Sequence, residues 1–144
     1  MAEPVTPHQA TCVAIEGRGL LIEGPPGSGK SSLALALLDR GAELVGDDGV
    51  LLDARGQTLF ALPHPRTRGL LEVRNIGLIE QPVRDEAPVA LVIVLDRDAP
   101  RFVEEAERCM RGGIDLPLLR LWPDSPVLAL RAEAALRRFG AAPA

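Results

Sequence analysis

Gly24-Pro25-Pro26-Gly27-Ser28-Gly29-Lys30-Ser31 meets the template GxxxxGKS at every fixed position, between an apolar stretch, Gly19 to Ile22, and a helical pattern that starts at Ser31. Strand, glycine-rich loop and helix, in that order, are the context the template needs. Lacking a Cβ, Gly24, Gly27 and Gly29 let the chain bend until successive backbone N–H groups face one anion, and the following helix adds its positive end. In such an arrangement the segment from Gly24 to Ser32 cradles a nucleoside triphosphate. Lys30 reaches the outer phosphates, and Ser31 ligates a magnesium ion.

The rest of the chain has to build one domain around that loop. At 144 residues, 47% of them hydrophobic, the sequence has the size and apolar content of a single core. A net charge of −4 gives no extended basic footprint, which counts against nucleic acid as the main partner. Cys12 and Cys109 lie far apart and outside any CxxC or Cys/His spacing, so both read as reduced, buried thiols. Met1 to Pro7 contains an acid and two prolines rather than a cationic, apolar signal, and no apolar run approaches the ~18 residues that span a bilayer. A cytoplasmic protein without membrane contact is expected.

Outward from the loop, a mobile leader is expected over residues 1–7. Thr11 to Glu16 and Gly19 to Glu23 read as antiparallel strands joined at Gly17-Arg18-Gly19. Leucines at near-helical spacing predict a helix from Ser31 to Arg40, stopped by Gly41. Glu43 to Gly46 is a short buried strand, and Val50 to Asp53 with Gln57 to Leu62 is a hairpin. Pro63 to Gly69 is a loop, and Leu70 to Val73 begins another strand. Pro88 to Asp96 is a near-continuous run of valine, leucine and isoleucine, the pattern of a central strand buried on both faces. Phe102 to Arg111 has helical composition and ends at Gly112-Gly113. Ile114 to Trp122 is extended apart from Pro117, and a last helix runs from about Pro126 to Phe139.

The Glu43 to Gly46 strand delivers two carboxylates, Asp47 and Asp48, to its end. Phosphoryl transfer needs a metal beside the phosphates and, for a hydroxyl acceptor, a carboxylate that takes the proton. Neighbouring residues of an extended strand point to opposite sides, so the pair can divide these tasks. A solvated turn ahead of Gly49 is the alternative. Farther on, Leu71-Glu72-Val73-Arg74-Asn75-Ile76-Gly77 puts Glu72 and Arg74 on one strand face, a carboxylate and a guanidinium side by side.

His8, GPPGSGKS, ELVGDDG and LLEVRNIGLIE, in this order, resemble the catalytic domain of HPr kinase/phosphorylase, in its short α-proteobacterial form. The likeness runs from about residue 8 to the C-terminal helix and is densest between residues 8 and 80. It implies an α/β fold, a P-loop domain with a mixed twisted sheet like the nucleotide domain of phosphoenolpyruvate carboxykinase. It implies ATP and Mg²⁺ as cofactors and a serine of HPr as acceptor, within phosphotransferase-system regulation. Carried over by position, Gly24, Pro25, Pro26, Gly27, Ser28, Gly29, Lys30, Ser31 and Ser32 hold the nucleotide. Ser31, Asp47 and Glu72 hold the metal. His8, Lys30, Asp47, Asp48 and Arg101 serve the chemistry, with Asp48 preferred as the base. Arg66 and Arg68 are candidates for holding an acidic or phosphorylated partner.

The departures from the family pattern carry expectations too. Full-length members bring an additional N-terminal domain and assemble as hexamers, whereas 144 residues are expected to form the catalytic domain alone. The stretch after the signature is short, Glu80 to Pro88, and Asn75 stands where glycine is usual, which counts against the reverse, phosphorylase reaction. A small-molecule kinase on the same loop, or a module that binds ATP without transferring phosphate, are the competing readings.

Overall fold

The computed structural model describes residues 5–142. Its strands are β1 (Thr6–His8), β2 (Thr11–Ile15), β3 (Arg18–Glu23), β4 (Glu43–Gly46), β5 (Val50–Arg55), β6 (Thr58–Pro63), β7 (Leu70–Val73), β8 (Gly77–Glu80), β9 (Ala87–Leu95), β10 (Glu107–Arg111) and β11 (Ile114–Leu121). Two helices, α1 (Lys30–Asp39) and α2 (Leu128–Phe139), complete it. The main sheet has nine strands, ordered β1-β5-β6-β9-β3-β2-β4, with β11 also on β9 and β10 on β11. It is mixed: β9 runs parallel to β3 and β11 and antiparallel to β6. The start of β9 pairs with β6 and its end with β11, so the sheet curls around this strand.

Period-two alternation in the central strands builds two cores, one on each face. Leu20 and Ile22 of β3 with Leu91 and Ile93 of β9 meet Leu33 and Leu37 of α1 and Ala132 and Leu136 of α2. Leu21 and Val92, one step out of phase, face Val50, Leu52, Leu59 and Leu116, contributed by the curled-over strands. The predicted opening hairpin, the Glu43–Gly46 strand, the Val50 hairpin, central β9 and both flanking helices are all present.

Four expectations are corrected. Thr6–His8 is not leader but strand β1, paired with β5 from Thr6↔Leu52 to His8↔Val50; the leader's first four residues lie outside the described ones. The stretch from Phe102 is not a helix: Glu107–Arg111 is strand β10. Gly112 and Gly113 both take positive φ, 55° and 79°, the demand of a tight hairpin turn, so the pair that reads as a helix stop is the bend between β10 and β11. Pro117 sits inside β11, one residue before pairing with β9 starts at Leu118, where its missing N–H costs that ladder nothing. The strand that starts at Leu70 does not run on through Arg74: it ends at Val73, and Ile76 N–H closes a turn on Val73 O with Asn75 at φ 72°. Finally, Gly77–Glu80 is a strand not expected from the sequence, pairing with β7 as a separate two-stranded ribbon.

Candidate active site

The glycine-rich loop leaves the end of β3 at Gly24 and enters α1 at Lys30. Gly27 and Gly29 have φ of 76° and 103°, conformations L side chains rarely adopt. Gly24 is required for space: a Cβ there would lie 2.6 Å from Ser28 Oγ. Ser28 N–H donates to Pro25 O at 3.1 Å, which closes the loop. Gly29 is the N-cap of α1 and brings no capping side chain, and no acid lies in the first turn. The helix N-terminus therefore presents uncapped amides to a cavity of about 400 Å³.

That cavity is lined by Lys30, Ser31 and Ser32 on one side and by Asp48, Glu72 and Arg74 on the other. Three separately encoded segments thus converge. Their junction is Asp47, 3% exposed, which lies behind the lining. Its Oδ1 accepts hydrogen bonds from Ser31 Oγ at 2.7 Å and from Thr11 Oγ1 at 2.9 Å, and its Oδ2 accepts the Glu72 backbone N–H at 2.9 Å. One carboxylate so fastens the helix start, the first core strand and the β7–β8 ribbon together.

Asp48 follows in a left-handed conformation, φ 58°, which turns its side chain away from its neighbour's and into the cavity. Glu72 reaches it from β7 and Arg74 from the turn just past that strand's end, not from one shared strand face as the spacing predicts, while Leu71, beside Glu72 on the opposite face, is fully buried. Lys30 Nζ donates back to the loop's own carbonyls, Gly24 O at 2.8 Å and Pro25 O at 3.2 Å. Pro25 and Ser28 stand outside the lining, and the buried Ser28 hydroxyl has no hydrogen-bond partner.

His8 and Arg101 are placed elsewhere. His8 Nε2 donates to Glu23 Oε2 at 2.7 Å, and Arg111 grips both oxygens of the same carboxylate at 2.7 and 2.8 Å. Burial alone would push the Glu23 carboxyl up; hydrogen bonds from Arg111 and then His8 more than reverse this and hold it at about 2. The cluster ties β10 and β1 to the last residue of β3, directly before Gly24. Arg101 lines a different depression with Arg120, Trp122 and Arg131. Arg68 is ion-paired with Asp85, and Arg66 is exposed. Cys12 is fully buried, which pushes its thiol up to about 12.

Sequence reasoning missed Gln9 and Thr11, which both line the cavity. A polar residue heading a strand that is otherwise apolar was the available signal for Thr11; nothing marks Gln9. Among the described residues no three His, Cys, Asp or Glu side chains form a preformed metal cage. The Ser31 hydroxyl and the Glu72 carboxylate are hard oxygen donors that suit Mg²⁺, an ion commonly held by one or two carboxylates and substrate phosphates. Among the described residues no helix is long and apolar enough to cross a membrane.

Fold and site define a mixed α/β domain with a curled sheet, in which a glycine-rich loop opens a helix against a carboxylate-bearing turn. The sequence model of the HPr Serine kinase C-terminal domain matches residues 1–110, and the chain belongs to this family. It is 35% identical over 134 residues to the HPr kinase/phosphorylase of Streptococcus thermophilus, covering 84% of this chain and 43% of that protein. The Mycoplasma mycoides HPr kinase/phosphorylase is 30% identical over 112 residues, 73% of this chain and 36% of the relative. The chain thus spans about two fifths of the length of these relatives. The HPr(Ser) kinase/phosphatase structure from Coxiella burnetii superimposes with a TM-score of 0.82 at 28% identity, over 92% of this chain and 88% of that one.

Proposed function

We propose that this domain is an ATP- and Mg²⁺-dependent kinase that phosphorylates a serine of the phosphocarrier protein HPr, on a P-loop fold of the phosphoenolpyruvate carboxykinase type. The observation that carries the proposal is Asp47 bonded at once to Ser31 of the glycine-rich loop and to the backbone of Glu72. That bond brings the three sequence features of the family into one cavity.

In this reading the loop amides and Lys30 hold the triphosphate, with Lys30 exchanging the Gly24 and Pro25 carbonyls for phosphate oxygens. Magnesium, when bound, offsets the charge on the outer phosphates. Of the three expected ligands, Ser31 and Glu72 would hold it directly, and Asp47, behind the lining, would act through Ser31. Asp47, whose oxygens already accept three protein donors, keeps the Ser31 hydroxyl proton turned inward so that its lone pairs face the cavity. Asp48 faces the cavity and would take the proton of the acceptor seryl hydroxyl as the seryl oxygen bonds to the γ-phosphorus and the bond from that phosphorus to the β–γ bridging oxygen breaks, with ADP as the leaving group. Arg74 steadies phosphate charge.

A protein acceptor is favoured over a small metabolite by the rim. Leu78, directly opposite Glu72 in the β7–β8 pairing, is 68% exposed, and Ile76 at the turn is 71% exposed. Apolar side chains in water beside a polar cavity suit a macromolecular surface better than a lid. A cytoplasmic location is part of the same proposal, and the phosphorylase reaction named for the longer relatives is not.

Incubation with γ-labelled ATP, Mg²⁺ and HPr tests the proposal. Label on an HPr serine is the expected result. Label on a small metabolite instead, or ATP binding with no transfer to any acceptor, overturns it in favour of the respective alternative. Chasing the labelled HPr with inorganic phosphate reads the reverse reaction separately.

A further inference from the structure

Thr11 and Asp47 are the buried polar residues among those described, at 0% and 3% exposure. They touch each other. The Thr11 hydroxyl donates its one proton to Asp47 Oδ1 at 2.9 Å and, at a long 3.5 Å, accepts the backbone N–H of Asp48. A hydroxyl has one donor and two acceptor sites, so a single side chain engages both consecutive aspartates, one through its carboxylate and the other through its peptide.

Strand geometry explains why a side chain is needed here. Pairing of β2 with β4 ends at Cys12↔Gly46, with a register irregularity between Cys12 and Val13. The next residue of each strand, Thr11 and Asp47, lies past the regular ladder, and the chain then turns through the left-handed Asp48. The turn is tight: a Cβ on Gly46 would lie 2.7 Å from Gly49 O. With backbone pairing exhausted, the Thr11 hydroxyl takes the place of the next rung. It fixes the angle at which Asp47 braces Ser31 and at which Asp48 enters the cavity.

We propose that Thr11 is a positioning residue for phosphoryl transfer, which locks the Asp47-Asp48 turn so that the Ser31 brace and the Asp48 carboxylate are set together. The inference rests on the kinase reading above, and Thr11 itself touches no reacting atom. Removing a group that orients a metal-site or catalytic side chain typically lowers metal affinity or activity by 10- to 100-fold. Thr11→Val keeps shape and deletes the hydroxyl; Thr11→Ser keeps the hydroxyl and deletes the methyl.

Three readouts separate positioning from packing. In nucleotide-free protein, hydrogen exchange at the Asp48 amide should speed up in Thr11→Val and return to the parent rate in Thr11→Ser. In calorimetry, the gain in ATP affinity on adding Mg²⁺ should shrink by about tenfold in Thr11→Val only. In steady-state transfer to HPr, kcat should fall by about tenfold or more in Thr11→Val, with the KM for HPr little changed, and Thr11→Ser should recover it. Equal behaviour of Thr11→Val and the parent in the first two readouts overturns the proposal, as does a Thr11→Ser variant as impaired as Thr11→Val, since packing would then be responsible. Should Thr11→Val not fold, the serine variant compared with Thr11→Cys, which keeps volume but donates weakly, separates the two causes in the same way. A parent protein that transfers nothing to HPr sinks the kinase reading, while the amide and Mg²⁺ readouts still judge Thr11.

Discussion

Ser31 donates its hydroxyl proton to Asp47 Oδ1 at 2.7 Å, which links the first turn of the loop helix to the end of a strand on the far edge of the sheet. The carboxylate accepts from Thr11 and the Glu72 amide as well, so all three of its protein hydrogen bonds run inward. Asp47→Asn turns one acceptor oxygen into a donor, and one of the three partners must then face an N–H. A buried donor left unmatched costs about 1–3 kcal/mol, so the thermal midpoint should fall, and Mg²⁺-dependent ATP binding should weaken with it. A melting temperature equal to the parent's in the Asp47→Asn variant would show that the junction bears no weight.

Asp48 should behave oppositely to its neighbour. It lies on the cavity wall, and its carboxylate accepts no protein hydrogen bond among the described residues. Asp48→Asn should therefore leave thermal stability and ATP affinity nearly unchanged while lowering kcat for transfer by on the order of 10²-fold or more, the size expected for loss of a general base. Loss of ATP affinity equal to the loss of kcat would instead make Asp48 a nucleotide-holding group.

Lys30 is parked on the carbonyls of Gly24 and Pro25, contacts that belong to the loop alone. Lys30→Met keeps the aliphatic stem and removes the ammonium. The fold should survive, because both contacts, one part-buried and one exposed, lie within the loop and tie it to no other element. Nucleotide affinity, read by calorimetry, should drop by at least tenfold. Unchanged affinity would disconnect the loop from triphosphate binding.

How much of this is legible in the chain depends on how local each cause is. The loop, its flanking strand and helix, and the exposed Glu72 beside buried Leu71 follow from glycine placement and period-two alternation, which the sequence displays. The turn that takes Arg74 off the strand is instead fixed by the pairing of β7 with β8. Asp47 and Asp48 are visible as a pair, but which one turns inward depends on Thr11, a partner 36 residues away. His8 reads as a site residue only through the resemblance, which carries a histidine upstream of the first strand; taken by itself it reads as a solvated side chain. Its partner, Glu23, is gripped by Arg111 from a strand that reads locally as helix. That reading fails because a Gly-Gly pair serves equally as a helix stop and as a hairpin turn, and only pairing with Ile114–Leu121 decides between them. Arg101 is likewise separated from the loop by the path of the chain after β9.

The Glu23 cluster supplies a prediction about acid stability. Its carboxyl is held at about 2 against an ordinary 4.5; burial would raise it, and the Arg111 and His8 hydrogen bonds lower it by more. A group whose folded value lies below its unfolded one binds fewer protons when folded, so protonation favours unfolding. The stabilisation is therefore whole above pH 4.5 and fades as pH falls towards 2. Glu23→Gln removes the charge but keeps the shape, so the parent should melt higher than the variant near pH 5 and the gap should close between about pH 4.5 and 2. Circular-dichroism melts across that range check it. Because Glu23 immediately precedes Gly24, the variant should also loosen the loop's anchorage and weaken ATP binding at neutral pH. A gap that stays constant down to pH 2 would mean that the Arg111 and His8 contacts do not hold the carboxylate charged.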